Sequence, residues 1–570
     1  MGHPMGEPIT LSAVVLTKNE EARIVRCLDS LRWVDEIVVV DDESTDRTRQ
    51  ICQQCGATVL VRRSEGDFDH QRNAGIDAAQ GEWIFQLDAD EVVPLALREE
   101  IRRILQRSGD IVAYRVSRVN YFLGHEMRYG GWGWDGVKLF KRSAARYVGH
   151  SVHETLAVDG PIGELAPPIW HYPFQSLTQF VERQNFYTTV EARLLREAQP
   201  RVSRGRLWYQ LVIRPVKLFW KSYVKKHGWR EGTYGLVFGA LFAWIEFLKW
   251  AKYWALGLPS LEPLCGGDEQ SSGCPHGGQR GVLPVDGRAR LSVVVLTKNE
   301  EDKIARCLES VRWADEIVVV DGLSTDRTVE ICRQYGATVI SRPFSGSFGE
   351  ERNVGADAAS GEWIVQLDGD DVVTEELREA IGRILTEGTS HAAFQIRRKS
   401  NFLGHWMMHG GWYYHYYTLY RKSACQFEGR VHHVLKIRGT AGVIEAPILH
   451  YPFTSLEQFV ARHNRYTSLE AQEMLDTQGV LDRRLVRYQL TWRPLKLFWK
   501  SYVKKQGFRE GWYGLVFATL YAWVHFLKWA KCWELVRDAS PLKQGRRLSR
   551  APTHDEVRMK ECGARGPFPS

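Results

Sequence analysis

Carboxylates that could hold a metal ion cluster at the end of one apolar run. Asp88, Asp90 and Glu91 follow the run WIFQL directly. Buried carboxylates are costly unless a cation or a hydrogen-bond donor compensates them, and hard oxygen ligands suit Mg²⁺ or Mn²⁺. Alternate residues of an extended strand share one face, so Asp88 and Asp90 can address the same ion. The pattern predicts metal-assisted chemistry on a phosphorylated substrate; an acidic turn or a helix N-cap is the alternative interpretation.

The cluster occurs a second time because the sequence is internally duplicated. Asp368, Asp370 and Asp371 follow the run WIVQL. Residues 11–48 and 291–328 are identical at 29 of 38 positions, at a constant offset of 280 residues. This period far exceeds the roughly 20–50 residues of solenoid repeats, so each copy is long enough to be a complete enzyme. The recurrence of the cluster in the same context favours the metal site over an acidic turn.

The duplication divides the chain into two copies, a linker and a tail: residues 1–260, 261–289, 290–540 and 541–570. The linker is rich in Gly, Ser and Pro, which is typical of a flexible connection. The basic tail is predicted to be disordered. Each copy is predicted to end in an amphipathic helical segment, at 205–256 and at 484–535.

Strands and helices alternate along each copy and position the carboxylates. Apolar runs such as LSAVVLT and EIVVVDD predict buried strands, and the stretches between them space apolar residues as helices do. This order predicts an α/β fold with a mainly parallel central sheet, in which ligands bind at the carboxyl ends of the strands. Thr17, Asp41, Asp88 and Asp90 all fall there. Neither GxGxxG after the first strand nor GxxxxGK[ST] occurs, which argues against a dinucleotide-dependent oxidoreductase and a P-loop enzyme.

At this point the ordered motifs resemble a known family. LTKNEE, VD, QRNAG, GEW and DADE, in this order in the first copy, resemble the family 2 glycosyltransferases of the GT-A fold, above all those of lipopolysaccharide core biosynthesis. The resemblance covers about the first 240 residues of each copy. It implies two tandem nucleotide-sugar-binding domains, a nucleotide-sugar donor, and Mg²⁺ or Mn²⁺ as the cofactor.

The resemblance also implies roles for particular residues. Thr17, Asn19, Glu20 and Asp41 would hold the base and ribose of the nucleotide, and Asp88 and Asp90 the ribose and the metal-bound diphosphate. The same roles in the second copy would fall to Thr297, Asn299, Glu300, Asp321, Asp368 and Asp370.

An inverting transferase of this fold needs a base that takes the proton of the acceptor hydroxyl. Glu154, in the segment GHSVHE, is the first candidate, and Glu91 is the second. His153 or His171 is a candidate to complete the metal shell, with a structural role as the alternative for His171. In the second copy His433 stands where the first has Glu154, which predicts that the two copies differ in activity.

Two further pairs of residues recur in both copies. Arg72 and Arg352 belong to matching RN pairs, which could contact phosphate or pair with a surface carboxylate. Trp132 and Trp412 follow paired glycines; a Trp face can stack on an acceptor sugar or pack in the core. The sequence leaves both choices open.

The helical segments indicate contact with a membrane surface. Residues 214–254 mix Lys with aromatic side chains, and their apolar stretch is shorter than the roughly 20 residues that span a bilayer. A packed helical subdomain or a dimer interface is the alternative. The net charge of +8 suits a phosphorylated substrate or an anionic surface, and no nucleic-acid partner is predicted. The N-terminus shows no secretory signal, so we expect a cytoplasmic protein at the inner face of the membrane.

Together these features predict a metal-dependent, inverting transferase. It would move a sugar from a nucleotide-sugar donor to a lipid-linked or lipopolysaccharide-core acceptor. Two alternatives remain open. The acceptor could be polyprenyl phosphate or a protein, or the second copy could be a non-catalytic carbohydrate-binding or dimerising module.

Overall fold

A computed structural model describes residues 11–64, 68–106, 109–148, 156–259, 288–429, 434–479 and 482–539. The candidates Glu154, His153 and His433 lie outside these ranges. Contacts group the described residues into two units, one within 1–180 and 212–244, the other within 181–211 and 245–539. The boundaries at residues 260, 289 and 540 stay predictions.

Copy one contains eleven described strands: Leu11–Thr17 (β1), Glu36–Asp41 (β2), Thr58–Val61 (β3), Trp83–Asp88 (β4), Glu91–Val92 (β5), Ala113–Phe122 (β6), His125–Glu126 (β7), Asp135–Lys141 (β8), Ala145–Tyr147 (β9), Leu156–Val158 (β10) and Ile162–Phe174 (β11). Its α-helices are Ile24–Asp29 (α1), Thr48–Gln54 (α2), Phe68–Ala78 (α3), Leu95–Leu105 (α4), Leu177–Ala198 (α5), Arg204–Trp208 (α6), Arg214–Trp220 (α7) and Thr233–Ala255 (α8).

Nine of these strands form one mixed sheet. Its order is β3-β2-β1-β4-β8-β6-β11-β5, with β7 paired to β6. β1 to β4 run parallel, β8 runs antiparallel between β4 and β6, and β6 and β11 are parallel again. β9 and β10 form a separate two-stranded sheet. The α/β class and the central sheet predicted from the sequence are confirmed.

Burial on both faces explains why β1 is an unbroken apolar run. Ala13 and Val15 pack with the α1 residue Leu28 on one face. Val14 packs with Ile76 of α3 on the other. A Cβ on Gly75 would lie 2.4 Å from a methyl carbon of Val14, so only glycine lets α3 approach β1 this closely. Because alternate residues of β1 pack against different helices, helices cover both faces of the sheet next to the strand ends that carry the candidate site.

Copy two repeats these elements. Its strands are Leu291–Thr297 (β12), Glu316–Asp321 (β13), Thr338–Ser341 (β14), Trp363–Asp368 (β15), Asp371–Val373 (β16), His391–Phe402 (β17), His405–Trp406 (β18), Tyr413–Arg421 (β19), Cys425–Glu428 (β20), Val434–Ile437 (β21) and Thr440–Phe453 (β22). Its α-helices are Ile304–Ser310 (α9), Thr328–Gln334 (α10), Phe348–Ala358 (α11), Glu375–Glu387 (α12), Leu456–Gln478 (α13), Arg483–Trp499 (α14) and Gly511–Ala539 (α15). The sheet order β14-β13-β12-β15-β19-β17-β22-β16 matches that of copy one.

The segment that follows the sheet of copy one is helical but irregular. π-helical turns at Tyr209–Ile213 and Lys221–Lys225 flank α7, and a 3₁₀ turn at Gly228–Glu231 precedes α8. Among the described residues, α8 is long and apolar enough to cross a membrane, but two thirds of its most apolar stretch is buried inside the protein. Length and composition alone therefore leave α8 equally suited to a protein core.

A glycine turn joins this helical segment to the sheet. Gly130 and Gly131 adopt φ values of 93° and 77°, a region that favours glycine. The amide of Gly130 donates to the carbonyl of Lys226 at 2.8 Å, and the hydroxyl of Ser222 donates to the carbonyl of Gly130 at 2.8 Å. The turn that carries Trp132 is thus held on both sides of Gly130 by the second π-helical turn and its end.

Candidate active site

The carboxylates of copy one lie where two strands meet. β4 ends at Asp88, and β5 begins at Glu91. β5 pairs with β11 in a register that sets His171 opposite Glu91. The side chain of Asp88 is 31% exposed, whereas that of Glu91 is fully buried. The sheet therefore gathers Asp88, Asp90 and Glu91 with one histidine at a single edge.

Three cations surround Asp88. Arg72 donates to Oδ1 of Asp88 at 2.9 Å. Nη2 of Arg118 and Nζ of Lys138 lie 3.5 Å and 3.6 Å from Oδ2 of Asp88. Burial raises the pKa of Asp88, but Lys138, Arg72 and Arg118 outweigh it and hold that pKa well below its usual range. Asp88 is therefore ionised at neutral pH, and Arg72 pairs with a carboxylate inside the cluster.

The buried carboxylate of Glu91 stabilises this arrangement. Its Oε2 accepts from the backbone amide of Asp88 at 2.9 Å and from Nζ of Lys138 at 2.8 Å. Arg118 forms an ion pair with the other oxygen. Burial raises the pKa of Glu91, yet the Lys138 and Arg118 charges lower it overall. Glu91 is therefore an ionised carboxylate that holds Lys138 and Arg118 close to Asp88.

His171 connects the carboxylates to the glycine turn. Its Nε2 lies 3.5 Å from Oδ1 of Asp90, and its Nδ1 lies 2.6 Å from Oδ1 of Asn120. Burial lowers the pKa of His171, so the imidazole is neutral, the state that binds metals. The Trp132 ring lies edge-on to His171, with centroids 6.3 Å apart, and stacks on Phe238 at 4.8 Å. Trp132 also stacks on Phe174 at 6.4 Å, so it lies beside the cluster and is packed among aromatic rings.

Two of the residues expected to hold the nucleotide lie side by side. Thr17 and Asp41 are register partners at the ends of β1 and β2. Asp41 is fully buried and accepts from the backbone amide of Ser44 at 2.9 Å. The buried hydroxyl oxygen of Thr17 has no hydrogen-bond partner among the residues that the structure describes. A buried polar atom without a partner calls for an explanation, and at a strand end a bound ligand is one that the α/β fold offers.

Asn19 and Glu20 shape the loop beyond β1. Asn19 adopts a φ of 52°, and its side-chain carbonyl accepts from the amide of Thr45 at 2.8 Å. Glu20 is buried and forms an ion pair with Arg23, which also donates to the carbonyl of Pro173 at 2.7 Å. Both residues therefore fix the loop that borders the strand ends, and Asn19 remains exposed at its surface.

Copy two places the equivalent residues in the same way: Thr297, Asn299, Glu300 and Asp321. The buried hydroxyl oxygen of Thr297 also lacks a hydrogen-bond partner within the described ranges. Glu300 pairs with Lys303 at 2.5 Å and with Arg462 at 2.7 Å. Burial, together with the charge of Asp370, nevertheless raises the pKa of Glu300.

The carboxylates of copy two fit a divalent cation. Arg352 and Arg398 pair with Asp368 at 2.7 Å and 2.9 Å. Asp370, Asp371 and His450 offer ligand atoms within 4.8 Å of one another. Oδ1 of Asp370 is buried and receives no hydrogen bond in the described structure. Burial lowers the pKa of His450 to about 3, so this imidazole is neutral. Oδ1 of Asp370 lies 3.5 Å from Nε2 of His450 and 3.8 Å from Nη2 of Arg398. A carboxylate oxygen beside a neutral imidazole suits Mg²⁺ or Mn²⁺, which would compete there with Arg398.

Asp371 replaces Glu91 in different surroundings. Arg398 contacts both of its oxygens, at 2.7 Å and 2.9 Å, and the Tyr416 hydroxyl lies 3.4 Å from Oδ2. The position of Lys138 is taken by the neutral Thr418. Burial therefore dominates and raises the pKa of Asp371 to about 7.

A cavity of about 570 Å³ opens over this cluster in copy two. Among its lining residues are Thr297, Glu300, Arg352, Asp368, Asp370, Trp412 and Arg462. Trp412 stacks on Phe517 with centroids 4.6 Å apart and lies 6.2 Å from His450. A carboxylate site ringed by arginine and aromatic side chains can hold a metal-bound diphosphate attached to a flat base or a sugar.

The sequence did not point to Arg118, Arg398 or Lys138. These residues lie on β6, β17 and β8, strands that enter the sheet out of chain order. An alignment of the two copies would have pointed to these residues. The arginine is kept at both positions, while Lys138 becomes Thr418 together with the exchange of the third carboxylate.

Comparisons with known proteins find similar sequences for both copies. The family model described as "Glycosyl transferase family 2" matches residues 12–155 and 292–439. The lipopolysaccharide core biosynthesis glycosyltransferase LpsC of Rhizobium meliloti (strain 1021) is 28% identical over 258 residues, which cover 43% of this chain and 92% of LpsC. The uncharacterized glycosyltransferase RT0209 of Rickettsia typhi is 28% identical over 263 residues, or 44% of this chain and 88% of RT0209.

Solved structures also superpose on part of the chain. The S. aureus TarS 1-349 structure matches with a TM-score of 0.24 and 20% identity, over 45% of this chain and 92% of that one. Glucosyl-3-phosphoglycerate synthase from Mycobacterium tuberculosis matches with a TM-score of 0.24 and 17% identity, over 34% and 82%. Because both TM-scores are low, the fold assignment rests on the sheet topology and the family match.

Proposed function

Because the chain belongs to glycosyl transferase family 2, and is therefore a glycosyltransferase, we propose that it transfers a sugar from a nucleotide sugar to a lipopolysaccharide-core or other lipid-linked acceptor. The observation that carries this proposal is the cavity of copy two, in which ionised carboxylates, a neutral imidazole and arginines surround Oδ1 of Asp370, an oxygen that receives no hydrogen bond from the described residues. The similarity to LpsC supports the choice of acceptor.

We assign the donor to the strand ends of each copy. The orphaned hydroxyls of Thr17 and Thr297 and the carboxylates of Asp41 and Asp321, which are register partners at the strand ends, would hold the base and ribose. Asn19, Glu20, Asn299 and Glu300 complete that side of the site. Arg72 and Arg352 keep Asp88 and Asp368 ionised and in place.

Mg²⁺ or Mn²⁺ would be held by Asp88 and Asp90 with His171, and by Asp368 and Asp370 with His450. Bound there, the cation supplies a Lewis acid for the departing diphosphate. The chain's own residues orient the donor and keep the carboxylates charged.

We assign the proton transfer to the acceptor side. Glu154 takes the proton of the acceptor hydroxyl in copy one, with Glu91 as the second candidate, and His433 takes it in copy two. The hydroxyl oxygen then displaces the nucleoside diphosphate in one step, which inverts the anomeric centre. Trp132 and Trp412, which stack on Phe238 and Phe517 beside the carboxylates, would border the acceptor.

The helical segment carries the proposed contact with the inner face of the cytoplasmic membrane. Trp220 is 56% exposed, and Val216, Lys217 and Lys221 are exposed on the same side of the helix. In copy two Trp499 is also 56% exposed. Exposed indoles beside lysines suit the headgroup layer of an anionic membrane.

A non-catalytic copy two is the second candidate function. Nη1 of Arg462 lies 3.2 Å from Oδ2 of Asp370, so a protein cation already occupies one side of the proposed metal site. On this alternative copy two would bind carbohydrate or dimerise. Polyprenyl phosphate or a protein would be the alternative acceptor of either copy.

The test of the proposed function is a screen of nucleotide sugars. We expect one of them to be hydrolysed slowly, and to raise the melting temperature, only when Mn²⁺ or Mg²⁺ is present. Asp90→Ala should abolish both effects in copy one. Unchanged activity of that variant in the presence of a chelator would refute the metal assignment.

A vesicle assay tests the membrane contact. The protein should co-sediment with vesicles that contain phosphatidylglycerol at low salt, and less so at high salt, because the lysine charges are then screened. Lys217→Glu with Lys221→Glu should reduce sedimentation strongly. If the wild-type protein never sediments, the segment is better described as a packing element.

A further inference from the structure

A buried asparagine stands between the candidate site of copy one and the glycine turn. Asn120 lies near the end of β6 and is 2% exposed. Its side-chain nitrogen donates to the backbone carbonyl of Trp132. Its side-chain oxygen lies 2.6 Å from Nδ1 of His171, whose Nε2 faces Asp90. The asparagine therefore touches both the turn and the imidazole, without touching the carboxylates.

The partners of Asn120 fix its orientation and that of His171. A backbone carbonyl only accepts hydrogen bonds, so the amide nitrogen of Asn120 must face Trp132. The amide oxygen then faces His171, and because this oxygen also only accepts, Nδ1 must carry the proton. The lone pair of the neutral ring is left on Nε2, which points towards Asp90. One carbonyl thus determines which nitrogen of His171 is free to bind a metal.

The backbone carbonyl of Trp132 is kept in place by residues outside the candidate site. Trp132 stacks on Phe238 of α8 at 4.8 Å. Gly130, two residues before Trp132, donates its amide hydrogen to the carbonyl of Lys226 and accepts from the hydroxyl of Ser222. A continuous set of contacts therefore runs from the helical segment through the turn to Nε2 of His171.

Copy two keeps every part of this arrangement except the asparagine. Gly410 bonds to Lys505 at 2.7 Å and to Ser501 at 2.8 Å. Ser400 replaces Asn120, and its hydroxyl lies 3.0 Å from Nδ1 of His450. A hydroxyl can donate or accept, so Ser400 accommodates either tautomer of His450. The imidazole of copy two is hydrogen-bonded, but its tautomer is not imposed.

We propose that Asn120 is a positioning residue that fixes the metal-binding tautomer of His171 by anchoring it to the carbonyl of Trp132. The inference rests on the proposed metal site of copy one. It assigns to copy one a preorganised imidazole ligand, which copy two replaces with an adaptable one.

The experiment measures binding of Mn²⁺ alone, by electron paramagnetic resonance of free Mn²⁺, to the full-length chain. Asp368→Asn with Asp370→Asn first removes the site of copy two. Asn120→Ala should then weaken Mn²⁺ binding about 10–100-fold, the usual effect of losing a partner of a metal-bound histidine. Asn120→Ser should recover only part of the affinity, because a serine hydroxyl holds the imidazole without imposing its tautomer, as in copy two.

A double variant separates positioning from mere stability. The losses caused by Asn120→Ala and His171→Ala should not add, because the first acts through the second. Additive losses, an unchanged affinity in Asn120→Ala, or a serine variant that binds Mn²⁺ as tightly as the unchanged copy-one site would each overturn the inference. Asp90→Ala reports on the proposed function separately: if it leaves Mn²⁺ binding unchanged, the metal site itself fails.

Discussion

The third carboxylate of each copy is buried at the same place in the same sheet, yet its charge is compensated differently. Glu91 is held by Lys138 at 2.8 Å and by Arg118, and its pKa is lowered. Among the described residues Asp371 has Arg398 alone as a close cation, and burial raises its pKa to about 7. The difference teaches that the fold tolerates either a fully ionised or a partly protonated carboxylate at this position.

The neighbouring side chains change together with the charge. In copy one Trp134 folds across Gly136, where a Cβ would lie 2.0 Å from the indole, and its ring covers Arg118 at 4.3 Å. In copy two Tyr416 takes the place of the glycine and contacts Arg398 at 5.1 Å. In both copies an aromatic ring thus covers the arginine beside the third carboxylate. The ring comes from a different position in each copy, so the equivalence is seen only when the neighbouring residues are compared together.

The largest expected effect comes from silencing one copy at a time. Asp88→Ala with Asp90→Ala should lower turnover by copy one about a thousandfold, because several kcal/mol of stabilisation of the leaving group is lost. Asp368→Ala with Asp370→Ala should leave most of the total turnover. Initial rates on the native acceptor measure both. If the copy-one variant keeps most of the activity, copy one is not the main transferase and the role of Glu154 fails.

A smaller effect is expected on stability. Lys138→Thr gives copy one the residue of copy two but leaves Glu91 with one cation fewer, so local unfolding should become easier by about 3 kcal/mol. Hydrogen exchange of peptides from β4 and β8 measures the change. Lys141→Thr, which removes a partly exposed pair with Glu82, is the matched control and should cost less than about 1 kcal/mol. Equal effects of the two substitutions would contradict the buried role of Lys138.

The smallest effect is a difference in pH dependence of the metal-free protein. Asp371 keeps a proton in the folded state that the unfolded state releases above about pH 4, so copy two should lose stability as pH rises from about 4 to about 7. Glu91, with a lowered pKa, contributes stability that is present above about pH 4.3 and lost below it.

Thermal unfolding in a chelator tests this contrast. Between pH 5 and pH 8 we expect the transition of copy two to fall by about 5–10 °C, because the two pH units below a pKa of about 7 correspond to about 3 kcal/mol. Asp371→Asn should remove the slope, because the amide does not titrate. A slope that persists in this variant would assign the proton to another group.

Local patterns were sufficient to predict the strand ends but not the cations that face them. Thr17, Asp41 and Asp88 were predictable because each ends an apolar run, and parallel strands end at one edge of a sheet. Arg118 and Lys138 were not, because β8 inserts between β4 and β6 in antiparallel order, and nothing near either residue specifies that pairing. The role of Asn120 depends on a turn twelve residues away.

The exposed tryptophans also make the protein an optical reporter of its own location. An indole that leaves water for an apolar layer fluoresces at a shorter wavelength, and Trp220 and Trp499 would do so if the proposed membrane contact forms. Trp83 and Trp363 are already buried and would contribute a constant background. A vesicle titration can therefore be read from the colour of the emission without a label. Replacing Trp220 or Trp499 by Phe would assign the colour change to one copy.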